Sequence, residues 1–179
     1  MTRKLQFRTE MKECNASEFV MDLLEDAECF PVHKDSLNNE KYYYENGYGG
    51  ERTYGGNRKH EGIDILTSNN RPGYFSVCSV SDGTVEKIGW LKLGGYRIGI
   101  RSDNGMYYYY AHLDSYADGI AEGKRVKAGE VIAKMGDTGY GTEGTHGKFP
   151  VHLHFGIYYN QDGKEKSLNP YYLLKYLDE

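Results

Sequence analysis

The sequence is poor in residues that stiffen or staple a chain: four prolines, one tryptophan and three cysteines among 179 residues. Because the number of cysteines is odd, at least one thiol has no partner within the chain. No C-x-x-C spacing occurs, which argues against a thiolate metal site. Cys78 lies in an apolar run and reads as a buried thiol, whereas Cys14 and Cys29 could pair in an exported protein, a pairing the spacing leaves open. No apolar run approaches the roughly 18 residues that a membrane-spanning helix needs. The opening stretch MTRKLQFRTEMKEC has no apolar centre and does not read as a signal peptide. Either the protein works in the cytoplasm or its targeting segment is not in this chain. An excess of positive charge is also missing: 22 basic residues face 26 acidic ones, for a net charge of −4. That excludes the basic footprint of a nucleic-acid binder and leaves a mixed, solvated surface.

What is abundant is tyrosine and glycine, 18 and 23 residues respectively. Tyrosine suits half-buried strand positions, and glycine at this level implies many turns and bulges. Short alternating runs follow one another from residue 62 onward: GIDIL, YFSVCSV, TVEKIGW, YRIGIRS, MYYYYAHL, RVKAGEVIAKMG and VHLHFGIYY. Turns at SDG, DNG and NQDGK separate several of them, the signature of hairpins. In NASEFVMDLLEDAEC, residues Phe19, Val20, Leu23, Leu24 and Ala27 recur at helical spacing, with Asn15 as a candidate cap and Glu18 three residues on. The stretch from 30 to 59 is polar and Gly-rich and reads as one long loop ending at His60. NPYYLLKYLDE reads as a short closing helix opened by Asn169 and Pro170. The expected class is mainly β, an antiparallel sheet core with a groove over one face and short helices at both ends. The expected division is an arm over residues 1–53 and a principal domain over 54–179.

The six histidines are His33, His60, His112, His146, His152 and His154. Two patterns stand out, His60-x-x-x-Asp64 and His152-Leu-His154. In a strand, residues two apart share a face, so His152 and His154 project together while Leu153 enters the core. His60 and Asp64 are an even number of residues apart, so an extended segment aims both to one side. Two imidazoles with one carboxylate would leave one tetrahedral position of a zinc ion open, the arrangement of a catalytic site. Glu61 is an unconvincing general base, because an HExxH motif needs a helix and Gly62 sits within this one.

Each pattern alone recurs by chance, and the flanking residues decide. YGGNRKHEGIDI surrounds the first, YYYYAHL places His112 at a strand end, and GDTGYGTEGTHGKFPVHLHFGI leads into the last pair. In this order the landmarks resemble the LytM-type zinc peptidases, the lysostaphin or M23 metallopeptidase family, from about Tyr54 to about Tyr172. The resemblance implies that His60, Asp64 and His154 hold one zinc ion per chain. It implies that His112 and His152 are catalytic histidines outside the ligand set, with His112 as base and His152 as partner or carbonyl polariser, or the reverse. Tyr54 matches a position where some members carry a tyrosine that helps to stabilise the oxyanion. The implied substrates are peptidoglycan stem peptides or cross-bridges, cut outside the cytoplasm at the cell envelope by a secreted monomer. A non-catalytic wall-binding or regulatory relative is the alternative, and a carbohydrate-binding β domain a more distant one. The run before His152 is longer than is usual in the family, which leaves the groove wall and the substrate preference open. His146 falls in that run and reads as a loop histidine, and His33 reads as a surface residue.

Overall fold

Alternation of apolar and polar residues builds, among the described residues, a ten-stranded antiparallel sheet beside a small two-stranded one. The computed structural model describes residues 18–34, 39–53 and 56–178. Cys14, the candidate cap Asn15 and Tyr54 lie outside the described residues. The elements in chain order are α1 (Glu18–Asp26), β1 (Tyr42–Tyr44), β2 (Glu51–Arg52), β3 (Arg58–Lys59), β4 (Ile63–Thr67), β5 (Ser76–Cys78) and β6 (Gly83–Leu91). They continue with β7 (Gly95–Ser102), β8 (Tyr107–Tyr116), β9 (Arg125–Val126), β10 (Val131–Met135), β11 (His152–Gln161), β12 (Lys164–Leu168) and α2 (Tyr171–Leu177). The sheet order is β1-β4-β11-β8-β7-β6-β9; β12 flanks β11, and β10 joins β5 to β8. The expected class therefore holds: mainly β, antiparallel, with short helices at the two ends.

The pleat sorts side chains into two sets. Leu153, Phe155 and Ile157 of β11 are fully buried, as are Ile63 and Ile65 of β4 and Tyr108 and Tyr110 of β8. Fully burying an apolar side chain of this size contributes about 1.5–3 kcal/mol. The alternate residues, among them Asp64, Tyr107, Tyr109, His152 and His154, line a groove on the other face. Two hairpin turns follow the sequence signals. Asp162 and Gly163 both have positive φ (54° and 76°), as a two-residue turn between β11 and β12 requires. Gly105, at φ 88°, turns β7 into β8.

The chain before the groove strands shares their core. Leu23 and Leu24 of α1, and Ala27 just beyond it, are buried with Phe30 and Val32 in the same cluster. The Asp26 carboxylate accepts hydrogen bonds from the Tyr108 hydroxyl at 3.1 Å and Asn104 Nδ2 at 3.3 Å, tying the helix to β8. Cys78 is buried, and its thiol donates to the Phe30 carbonyl at 3.2 Å. His33 is half-buried rather than on the surface, because its backbone N–H donates to the Ser76 carbonyl at 2.9 Å alongside β5.

The stretch 30–59 is not one loop. Tyr42–Tyr44 adds β1 to the edge of β4, with Tyr43 opposite Leu66, and β2 pairs with β3. The Phe30 and Tyr42 rings stack at 4.8 Å. The hydroxyls of Tyr42 and Tyr44 both donate to the Asp178 carboxylate, clamping β1 to the end of α2. The opening of α2 follows expectation: Asn169 Oδ1 accepts the Tyr171 N–H at 3.0 Å, beside Pro170.

Candidate metal centre and groove

Three elements converge at one end of the groove. β11 pairs with β4 so that His154 lies opposite Asp64, and His60 enters from the segment between β3 and β4. His60 Nε2 is 3.0 Å from Asp64 Oδ1 and 3.0 Å from His154 Nδ1, and His154 Nδ1 is 3.0 Å from Asp64 Oδ1. Three donor atoms thus form an almost equilateral triangle. Ligands about 2.0–2.1 Å from a tetrahedral zinc lie about 3.3–3.4 Å apart, so small adjustments would seat an ion. His60, Asp64 and His154 are the group of described residues that could hold a metal ion. Their side chains are 2%, 26% and 15% exposed, so the set is sheltered but reachable from the groove.

The outer contacts prepare these atoms. The Gly47 carbonyl can only accept, so His60 Nδ1 at 3.0 Å must carry the proton, leaving Nε2 with its lone pair. Arg52 Nη2 holds the other Asp64 oxygen, Oδ2, at 2.6 Å. Burial pushes the Asp64 carboxyl up, but its contacts with His154 and His60 outweigh that and hold it well below the usual carboxylate range. Burial lowers the His154 imidazole despite the neighbouring carboxylate, favouring the neutral ring that a metal needs. Gly62 is required by close approach. A Cβ there would sit 2.6 Å from the Phe155 carbonyl oxygen and 2.7 Å from the His154 ring.

His112 and His152 complete one wall, with ring centroids 4.6 Å apart. His112 lies in β8 at φ 61°, the left-handed region that costs a non-glycine residue about 1–3 kcal/mol. This breaks the alternation of β8, so that Ala111 and His112 both line the groove while Leu113 returns to the core. His112 Nδ1 donates to the Thr138 carbonyl at 2.8 Å, and His152 Nδ1 to the Pro150 carbonyl at 2.7 Å. Each therefore keeps an unprotonated Nε2. His152 Nε2 lies 3.8 Å from Asp64 Oδ1. Burial lowers both imidazoles, His112 strongly, with the charges of His152 and His154 adding to the effect on His112.

The structure brings His60, Asp64, His112, His152 and His154 onto one groove of about 720 Å³. His146 is exposed and does not line it. Glu61 is exposed, its carboxylate 3.5 Å from the Tyr158 hydroxyl. Several groove residues were not legible beforehand. Phe149 packs on His112 at 4.6 Å and on His152 at 5.0 Å, and Tyr140 packs on Phe149 at 4.9 Å. Both come from the long run before His152, where an aromatic three residues before the motif was the available signal. Arg52, Arg58 and Arg97 belong to no motif.

The model of peptidase family M23 matches residues 58–170. The chain belongs to this family. An L-Ala–D-Glu endopeptidase of Bacillus subtilis is 44% identical over 151 residues, which cover 84% of this chain and 43% of the relative. Lysostaphin of Staphylococcus simulans is 33% identical over 141 residues, 78% of this chain and 26% of that protein. This M23 chain thus spans less than half the length of these relatives. Among solved structures, a Ruminococcus gnavus protein assigned as a glycyl-glycine endopeptidase LytM superposes with a TM-score of 0.81 at 44% identity, covering 96% of this chain and 71% of that one. The fold is thus that of LytM-type peptidases, as the order of motifs implied.

Proposed function

We propose that this M23 chain is a zinc-dependent endopeptidase that hydrolyses peptide bonds of bacterial cell-wall peptidoglycan, acting outside the cytoplasm. The observation that carries the proposal is the triangle of His60, Asp64 and His154 donor atoms beside two further histidines, His112 and His152. Two imidazoles and a carboxylate suit zinc, and the Bacillus relative is named an L-Ala–D-Glu endopeptidase. Zinc held by these residues would supply Lewis acidity, lowering the pKa of a bound water to about 7 and polarising the scissile carbonyl.

The remaining work falls to the chain. His112 Nε2, kept free by the Nδ1–H bond to Thr138, takes the proton of the attacking water and returns it to the leaving amine. His152, its Nδ1–H fixed by Pro150, partners His112 in moving that proton, and donates toward the developing oxyanion once its Nε2 has taken a proton. Tyr54 is proposed for the same oxyanion on the strength of the family pattern. Arg52 holds Asp64 in one orientation, and Phe149 covers the two histidines and limits access of bulk water. The alternative, a non-catalytic wall-binding relative, would not need all five side chains in reacting order.

Chelation provides the test. Removing zinc from the purified chain abolishes release of dye from labelled cell walls, and adding zinc back restores it. Full activity in protein shown to be metal-free would refute the mechanism.

A further inference from the structure

We propose that Arg58 and Arg97 form a carboxylate-binding subsite through which the groove selects acidic wall peptides over neutral glycine bridges; the proposal rests on the peptidase reading above. The charges along the groove are unequal in their engagements. Arg52 is held by Asp64 at 2.6 Å, and Glu165 is held by Arg101 at 2.6 Å. That leaves Arg58, Lys59 and Arg97 facing Glu61 as the remaining charges of the lining.

Two of these cations hold buried nitrogen atoms without a partner. Arg58 Nε and Arg97 Nη1 are buried and make no hydrogen bond among the described residues. A buried donor on a charged group is costly to leave unmade, and a carboxylate in the groove would pair with either guanidinium once its side chain turns toward it. The other contact of Arg58, Nη2 to the Tyr140 hydroxyl at 3.5 Å, is at the weak limit of a hydrogen bond.

The two arginines line the same groove from different elements. Arg58 lies in β3, and Arg97 lies in β7 on the far side of β8 from β11. Both guanidinium charges act on the hydroxyl of Tyr109, which burial raises to about 12. The Tyr109 ring stands edge-on to His154 at 5.9 Å. Arg58, Arg97, Tyr109 and His154 all line this groove, so a carboxylate held by the arginines would share the groove with the candidate metal set. Tyr140, from the long run before His152, flanks Arg58.

A planar guanidinium presents paired N–H donors that match a carboxylate, and two of them in one groove suit a carboxylate better than an uncharged amide. Peptides of the stem type carry free carboxylates next to backbone amides, and oligoglycine bridges carry none. Charge and geometry thus favour the former.

Three synthetic substrates test the subsite with the zinc-loaded full chain. Two are stem-type peptides identical except that the α-carboxyl of the glutamyl residue is free in one and a primary amide in the other. The third is a pentaglycine peptide. The acidic peptide should exceed its amide in kcat/KM by about 10-fold or more. Arg58→Gln and Arg97→Gln should each bring that ratio to within roughly twofold, with zinc content and thermal midpoint unchanged. Equal rates on the acidic peptide and its amide, preference for pentaglycine, or selectivity retained in both variants would overturn the subsite while leaving the peptidase reading intact. The wild-type ratio decides even where a variant fails to fold. Hydrolysis of none of the three would overturn the peptidase reading itself, and the subsite with it.

Discussion

At the scale of single residues, the site depends on backbone positions as much as on functional groups. His112 occupies φ 61°, and its Nδ1–H is committed to the Thr138 carbonyl. If it moves the proton, His112→Ala should keep one zinc per chain yet lower kcat by about 10²–10⁴-fold, a split read by metal analysis alongside steady-state kinetics. Loss of zinc in that variant would make His112 a ligand instead. Gly62 makes a different prediction. The nearest obstacle to a Cβ is the backbone carbonyl of Phe155, at 2.6 Å, which cannot rotate away. Gly62→Ala should therefore shift β11 and weaken zinc binding by about 10-fold or more in a competition titration. Affinity equal to that of the wild type would show that the strands can give without moving His154. The HxH motif was readable because strand alternation is a local rule, whereas His60 reaches Asp64 from the segment between β3 and β4. The left-handed turn at His112 was invisible, because no residue type marks it.

At the scale of elements, strands with strong alternation and Asp-Gly or Asn-Gly turns were readable, β11 and β12 above all. Within 30–59 the reading failed for β1, β2 and β3. Tyr42–Tyr44 is an edge strand whose partner, β4, lies beyond the loop, and its rings gain their burial from Phe30, Asp178 and Tyr171 rather than from a local pattern. Helix α1 was legible from its apolar spacing, but its anchor was not. Asp26 is 8% exposed, and burial raises its carboxyl above the ordinary value despite hydrogen bonds from Ser102 and Tyr108. A raised folded-state value means that the stability Asp26 contributes is present below the unfolded value, near pH 4, and is lost as pH rises through the folded value. Asp26→Asn keeps an acceptor for Tyr108 without the charge. The difference in melting temperature, variant minus wild type, should become more positive from pH 4 to pH 7 in calorimetric scans. A difference that stays constant would show that Asp26 titrates as if exposed.

At the scale of the whole molecule, one sheet face supplies the core and the other supplies the groove. The order β4-β11-β8 brings His60, Asp64 and His154 together with His112 and His152, although more than 90 residues separate His60 from His154. The clustering of these five residues was legible because their motifs follow one another in a family order. The groove walls were not, because Arg52, Arg58, Arg97 and Phe149 act through position in space and belong to no repeated pattern. If this constellation cuts wall peptides with a metal held by Asp64, purified sacculi digested with equal amounts of zinc-loaded wild type and Asp64→Ala, with released fragments read by mass spectrometry, should yield new peptide termini from the wild type and none from the variant. Equal release by Asp64→Ala, or none by a zinc-bearing wild type from walls of several cross-link types, would contradict it.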